Sequence, residues 1–178
     1  MRKLIASLAL VVVAAPALAG NLAGIADCNG DCGSTVVYVE GAPTRDGAGT
    51  TVDFDQKDKV FVPHVLPVLQ GATVNIMNGD PFLHNVHVYS GRETVLNIAL
   101  PFQGQVIQHT FTEPGTYEVL CDAHPEMSAY IVVLDNPHFA TPNDNGAYEI
   151  AGLPAGNYTV VVRNVKSDKS ERFSVVVN

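Results

Sequence analysis

Three metal-binding side chains lie close together in the segment CDAHPEM, residues 121–127. Cys121, His124 and Met127 offer a thiolate, an imidazole and a thioether, which are soft or borderline metal ligands. A trigonal or tetragonal copper site combines such ligands with a second imidazole. Zinc is disfavoured, because zinc sites use cysteine, histidine and carboxylate ligands rather than methionine. The segment therefore predicts three ligands of one copper site.

The fourth ligand must come from another part of the chain, because this segment contains no second histidine. Among the six histidines, His84 is favoured because it follows the turn-rich stretch NGDPFL and begins a short β-rich run. A side chain at such a junction can lie at the end of a β-sandwich, beside residues 121–127. His87 is predicted to point from the opposite face of the same strand. Asn78 and Asp80, in the turn itself, are explained by turn formation.

Each candidate ligand also has an ordinary structural explanation. Cys121 fits a buried free thiol or a disulfide partner of one of the other two cysteines, and Met127 alone fits core packing. A catalytic cysteine–histidine pair is disfavoured, because the catalytic histidine usually comes from a distant sequence position and no base framework is visible. We therefore expect a metal-binding protein that is not an enzyme.

The other two cysteines, Cys28 and Cys32, lie in the stretch DCNGDCG. Its glycine, asparagine and aspartate residues allow a tight bend, so we expect these two cysteines to form a disulfide with each other. A second metal site at this position is the alternative, although a Cys-x3-Cys spacing is a weak signal.

The N-terminus has the layout of a secretory signal peptide. Arg2 and Lys3 precede the apolar run LIASLALVVVAA, and small residues follow at Ala17 and Ala19. A membrane anchor is the weaker alternative, because the apolar run is shorter than the roughly 20 residues of a spanning helix. We therefore expect cleavage after residue 19, a periplasmic or secreted protein, and no membrane span in the mature chain.

The chain is acidic, with 10 Lys and Arg against 18 Asp and Glu. Cleavage after residue 19 removes two basic residues, so the expected mature chain has 8 basic and 18 acidic residues and a formal net charge of −10. Such a charge argues against nucleic acid and anionic membrane surfaces as partners. It is compatible with a basic protein partner.

Short β-rich runs interrupted by glycine and proline predict an all-β sandwich or barrel. From Asn136 onward, three further β-runs are separated by NDNG, GLPAG and a charged turn. We therefore divide the chain into a signal peptide at 1–19, a lead-in segment at 20–34, a main β-sandwich domain at 35–134 and a C-terminal β extension at 135–178. Residues 35–41 fit either of the two β units.

The spacing of the candidate ligands and their neighbours resembles that of the cupredoxins, the family of plastocyanin and amicyanin. The resemblance covers about residues 55–134 and rests on two patterns: Asn78-x-Asp80-x3-His84-Asn85-Val86 and Phe111-x2-Pro114-Gly115-x-Tyr117-x3-Cys121-x2-His124-x2-Met127. It implies a Greek-key β-sandwich that holds one type 1 copper. The ligands that it implies are His84, Cys121, His124 and Met127.

The resemblance also implies roles for the residues around these ligands. Asn85 is expected to tie the loop of the first histidine ligand to the strand end that carries the cysteine. Phe82, Leu83 and Pro125 are expected to keep water from the metal. His124 lies on an exposed loop and is the expected exit for electrons.

The C-terminal stretch NGAYEIAGLPAGNYTVVV is similar to the carboxypeptidase regulatory-like, transthyretin-like β modules. This pattern consists mostly of turns and alternation. Secreted bacterial proteins described as methylamine utilisation protein-like combine a plastocyanin-like unit with such strands, and they resemble this chain over both parts.

Three functional hypotheses follow. The favoured one is a secreted type 1 (blue) copper protein that transfers single electrons between redox proteins, such as a c-type cytochrome or a dehydrogenase. The second is a periplasmic copper carrier or storage protein that uses the same ligands. The third, from a different class, is a β-sandwich binding module in which the copper site is accessory.

Overall fold

The structure is a computed structural model that describes residues 20–178. The predicted signal peptide, residues 1–19, lies outside the described residues. The strands are β1 Gly20–Ile25, β2 Thr35–Glu40, β3 Thr51–Lys57, β4 Val60–Val62, β5 Val65–Leu69, β6 Thr73–Asn78, β7 His84–Ser90, β8 Glu93–Leu100, β9 Val106–Thr110, β10 Gly115–Leu120, β11 Ser128–Leu134, β12 Phe139–Ala140, β13 Ala147–Leu153, β14 Gly156–Asn164 and β15 Lys169–Val177. One turn of 3₁₀ helix, Cys32–Ser34, precedes β2.

Nine of these strands form a sandwich of two sheets. One sheet has the order β5-β11-β10-β7-β8 and the other has the order β4-β3-β6-β9. Strands β5 and β11 run parallel, as do β3 and β6, because the chain crosses between the sheets. The all-β Greek-key sandwich predicted from the sequence is confirmed.

Alternating side chains from both sheets fill the core of this sandwich. In β10, Tyr117 and Val119 are buried while Glu118 between them is exposed, as the period of two requires. Phe54 of β3 stacks on Phe61 of β4 with ring centroids 5.2 Å apart. Burying each such apolar side chain contributes roughly 1.5–3 kcal/mol, so the sandwich is stable enough to hold fixed loops at its ends.

The remaining strands form a second unit that combines both ends of the described chain. A four-stranded sheet has the order β12-β2-β14-β15, and β1 pairs with β13. The sequence leaves residues 35–41 open between the two units, and the sheet order groups β2 with the C-terminal strands. Val37 and Val39 of β2 pack with Val160 and Val162 of β14 in a separate hydrophobic cluster, which explains the pairing.

The two units contact each other through a small apolar cluster. Val36 and Val165 of the second unit pack against Val65 of β5 and Val132 of β11. These two strands form one edge of the five-stranded sheet, so the second unit covers that edge. Within residues 20–178, no helix is long and apolar enough to cross a membrane.

Candidate metal centre

Two imidazoles and one thiol converge at one end of the sandwich. The Nδ1 atom of His84 lies 3.8 Å from the Sγ atom of Cys121, and Nδ1 of His124 lies 3.7 Å from the same sulfur. One ligand atom from each residue lies within 4.8 Å of the others. His84 and Cys121 are 37 positions apart in sequence, and the fold brings them together.

The strand register explains this convergence. Strand β10 pairs with β7 on one side and with β11 on the other, so Leu120 lies opposite both His87 and Ser128. Cys121 follows β10 directly, and His84 is the first residue of β7. The start of β7 and the end of β10 are therefore neighbours at the same end of the sheet.

The loop between β10 and β11 is closed by its own backbone hydrogen bonds. The His124 N–H donates to the Cys121 carbonyl at 3.2 Å, and the Met127 N–H donates to the His124 carbonyl at 2.9 Å. The Cys121 N–H donates to the Met127 carbonyl at 3.3 Å. These bonds fix the backbone that carries the three predicted ligands of this loop.

Burial differs among the four predicted ligands. His84 is fully buried, and Cys121 and Met127 are each 2% exposed. Both Cys121 and Met127 belong to the hydrophobic core of the sandwich. His124 is partly exposed, and Pro125 beside it is exposed. Only the His124 imidazole of this set therefore reaches the solvent.

The separations of the ligand atoms fit one metal ion. Metal–sulfur and metal–nitrogen bonds of about 2.3 Å and about 2.0 Å, enclosing an angle of about 120°, place the two ligand atoms about 3.7 Å apart. The observed distances from the Cys121 sulfur to the two imidazole nitrogens are 3.8 and 3.7 Å. A thiolate combined with two imidazoles suits copper.

A buried carboxylate holds the far side of the His84 ring. The Nε2 atom of His84 lies 2.9 Å from Oδ2 of Asp80, whose side chain is 3% exposed. A carboxylate at Nε2 keeps the proton on that nitrogen, which leaves Nδ1 with a free lone pair facing the sulfur. The sequence interpretation assigned Asp80 to turn formation alone. The sequence signal that could have indicated this contact is a carboxylate four residues before the candidate histidine.

Asp80 also organises the turn between β3 and β4. Its carboxylate accepts the N–H groups of Asp58 at 2.9 Å and of Lys59 at 3.0 Å. Burial by itself raises the pKa of Asp80, but the hydrogen bonds from Lys59, His84 and Asp58 outweigh it and lower the pKa to about 2. The carboxylate is therefore ionised at neutral pH and provides a fixed negative charge behind His84.

Asn85 links β7 to the loop that carries the cysteine. Its Oδ1 accepts the Asp122 N–H, and its Nδ2 donates to the Asp122 carboxylate at 3.0 Å. His87, on the outer face of β7, also contacts Asp122, with Nδ1 3.1 Å from Oδ2. The hydrogen bond from His87 is the main reason that the pKa of Asp122 is lowered. The sequence interpretation predicted the link through Asn85 but not the involvement of Asp122 and His87.

Aromatic and apolar side chains form the rim of the site. The Phe82 ring lies 5.1 Å from the His84 ring and 5.6 Å from the His124 ring, measured between centroids. The two imidazole rings are 4.7 Å apart. Phe82 is 38% exposed and Leu83 is 48% exposed, so both help to form the outer surface at this end of the sandwich.

The two remaining cysteines lie in the second unit. Cys28 and Cys32 are joined by a disulfide, with Cα atoms 4.9 Å apart. Cys121 is the free cysteine of the described chain. Cys121 therefore does not form a disulfide with either of them, and its thiol is available to a metal.

Comparison with known proteins decides which family this site belongs to. Residues 48–134 match the family described as copper binding proteins, plastocyanin/azurin family. Amicyanin from Paracoccus denitrificans is 38% identical over 94 residues, which cover 52% of this chain and 70% of amicyanin. The chain belongs to the plastocyanin/azurin family. Copper is therefore its cofactor, and the cupredoxin resemblance seen in the sequence is confirmed.

Solved structures give two further similarities. A reduced amicyanin mutant is 26% identical, with a TM-score of 0.44, and the match covers 55% of this chain and 98% of that protein. The copper-containing nitrite reductase of Thermus scotoductus is 30% identical with a TM-score of 0.43. That match covers 47% of this cupredoxin but only 22% of the reductase chain.

Proposed function

We propose that this cupredoxin is a secreted electron carrier whose copper is held by His84, Cys121, His124 and Met127. The observation that supports the proposal most strongly is the convergence of two Nδ1 atoms on the Cys121 sulfur at 3.7 and 3.8 Å. Bound copper supplies a one-electron couple, because thiolate suits Cu(I) and imidazole suits Cu(II). Met127, buried in the same hydrophobic cluster as the cysteine, would hold the copper weakly through its thioether sulfur.

The protein contributes rigidity to this function. Asp80 fixes the His84 ring from behind, and the hydrogen-bonded loop fixes the other three ligands. A site whose ligands are held in place rearranges little when the charge of the metal changes. Electron transfer is then fast, because little reorganisation has to precede it.

His124 is the proposed route for electrons into and out of the site. It is the only one of the four ligands that is partly exposed, while the others are buried. Phe82 and Leu83 flank this opening with apolar surface and limit the access of water. A redox partner that covers this end of the sandwich can therefore exchange electrons with the site through the His124 ring.

Export is the second part of the proposal. The signal peptide predicted at residues 1–19 would place the protein in the periplasm or the medium, where the Cys28–Cys32 disulfide can persist. Redox proteins of that compartment, such as a c-type cytochrome or a dehydrogenase, are the proposed partners.

We also propose a revised division of the exported chain. Residues 48–134 form the copper-binding sandwich, and residues 20–42 and 135–178 together form the second unit. The antiparallel pairings of β1 with β13 and of β2 with β14 support this division. The two segments far apart in sequence then fold as one body.

The experiment that tests the function is copper loading followed by repeated reduction and reoxidation. We expect one copper per chain, an intense blue charge-transfer band, and reversible loss of that band on reduction. The Cys121→Ser variant should lose the band, whereas a Cys28→Ser/Cys32→Ser double variant should keep it. A copper carrier would instead release metal to a chelator in one oxidation state, and that result, or a colourless copper form, would contradict the proposal.

A further inference from the structure

The copper-binding sandwich distributes its few cations unevenly. Residues 48–134 contain nine acidic and only three basic residues, a formal net charge of −6. Two of the three cations, Lys57 and Lys59, are at the turn between β3 and β4. The third, Arg92, is in the turn between β7 and β8 at the opposite end of the sandwich. Both lysines of this unit therefore lie at the metal end, among the acidic groups of the same end.

The backbone holds Lys59 beside the metal site. Asp58 and Lys59 both have left-handed backbone conformations, with φ of 55° and 57°, which form a tight two-residue turn. The N–H groups of both residues donate to the buried Asp80 carboxylate. The turn is therefore anchored to the same carboxylate that holds the His84 ring.

The Lys59 side chain lies over the aromatic rim. Its ammonium group is 5.5 Å from the centroid of the Phe82 ring, a cation–π distance. The same ring contacts the imidazoles of His84 and His124. Among the described residues, no carboxylate oxygen lies within 4 Å of the Lys59 ammonium group. Its charge is thus not neutralised by a close ion pair.

The acidic groups at this end of the sandwich are placed differently. Asp80 is buried and bonded to backbone N–H groups, and the Lys57 ammonium is 3.7 Å from it. Asp122 lies on the outer face of the five-stranded sheet, against His87. Asp58 in the turn and Glu126 in the ligand loop are exposed. The charges at this end are therefore mixed, because Asp55 of β3 lies beside Lys57 on the same side. Lys59 is the cation that lies over the Phe82 ring.

We propose that Lys59, with Lys57 beside it, forms a cationic docking edge for a redox partner that presents acidic groups. This inference rests on the electron-carrier function, since it places the edge beside the proposed exit at His124. It differs from a basic partner, with which the acidic net charge of the chain is compatible. Charges within about 8–10 Å of the contact dominate docking at physiological salt, and more distant charges are screened.

The test measures electron transfer to small oxidants of opposite charge. The copper(I) protein gives one electron to hexacyanoferrate(III), which becomes hexacyanoferrate(II), and the protein becomes the copper(II) form. The anionic complex stands in for the charge of the acidic partner. Stopped-flow rate constants are compared for wild type, Lys59→Gln and a control, Lys166→Gln, which removes the same charge from an exposed position in the second unit.

We expect Lys59→Gln to lower the rate constant for electron transfer to hexacyanoferrate(III) about three- to tenfold at low ionic strength. The ratio of the wild-type rate constant to that of Lys59→Gln should approach one as salt is added. Lys166→Gln should change the rate much less. The cationic oxidant tris(phenanthroline)cobalt(III) should react faster with Lys59→Gln than with wild type. The Lys59 N–H bond to Asp80 uses the backbone and is retained, so an unchanged blue band will show that the site is intact.

The possible results separate the two proposals. Equal rates for Lys59→Gln and Lys166→Gln with both oxidants would overturn the docking edge while leaving the electron-carrier function in place. A loaded wild-type protein that reduces neither oxidant would overturn the function itself. A charge-reversing variant, Lys59→Glu, should enlarge both effects in the same directions, and an effect of opposite sign would also overturn the docking edge.

Discussion

Replacing Asp80 by asparagine removes the charge behind His84 while keeping almost the same side-chain shape. In the wild type, the Asp80 carboxylate accepts from His84 Nε2 at 2.9 Å and from the Asp58 and Lys59 N–H groups at 2.9 and 3.0 Å. An asparagine has one acceptor oxygen and one NH₂ group. The NH₂ group must then face a donor, so at least one of these hydrogen bonds is lost.

The size of the effect follows from the pKa of Asp80. The pKa is lowered from 3.8 to about 2 in the folded protein. At 1.36 kcal/mol per pH unit, this corresponds to about 2 kcal/mol of stability at neutral pH. Because the side chain is 3% exposed, solvent screens this energy little. We expect Asp80→Asn to lower the free energy of unfolding of the copper-free protein by about 2–3 kcal/mol.

The dependence on pH has a definite sign. A carboxyl whose folded pKa is lowered stabilises the protein above its unfolded pKa and loses that contribution as pH falls through the folded value. The difference between wild type and Asp80→Asn should therefore be constant above about pH 4 and shrink between about pH 4 and about pH 2. Urea unfolding across this range measures it directly.

Asp53→Asn is the matched control, because Asp53 is exposed and its loss removes the same charge. A second readout uses the copper-loaded protein. Without the carboxylate, the His84 imidazole donates less electron density to the copper, so the reduction potential of Asp80→Asn should rise. Equal unfolding free energies for Asp80→Asn and Asp53→Asn at neutral pH would refute the anchoring role. An unchanged or lowered potential would refute the electronic role.

Two further predictions concern the scaffold. Asn85→Ala leaves the Asp122 N–H without its acceptor, so it should lower the free energy of unfolding in urea by about 1–3 kcal/mol. Its control, Asn75→Ala on an outer strand position, should lower the free energy of unfolding less. Ile131→Ala should lower the free energy of unfolding by about 2–5 kcal/mol, because Ile131 is fully buried in the sandwich core. Ile25→Ala, at a side chain that is 80% exposed, should leave the free energy of unfolding nearly unchanged. Equal costs within either pair would contradict the corresponding contact or core assignment.

The candidate ligands could be predicted because three of the four are close together in the sequence. Cys121, His124 and Met127 lie on one short loop, and their spacing with the His84 junction matches a known family pattern. The contact of Asp80 with His84 was missed, because a carboxylate in a turn looks the same in sequence whether it caps the turn or reaches a ring.

The arrangement of the second unit was not predictable from local patterns. Strand β2 fits either β unit by its sequence, and Val39 pairs with Val160, more than 100 positions away. The same is true of β1, which pairs with β13 across most of the chain. Periodicity identifies a strand and its buried face, but it does not identify the partner strand when two similar apolar sheets compete.

A crystal structure of the copper-loaded protein, with an anomalous difference map at the copper absorption edge, tests the central claim most directly. We predict one strong peak per chain, bonded to Sγ of Cys121 and to Nδ1 of both His84 and His124. A peak at His87 and Asp122, with the His84 ring uncoordinated, would contradict the account.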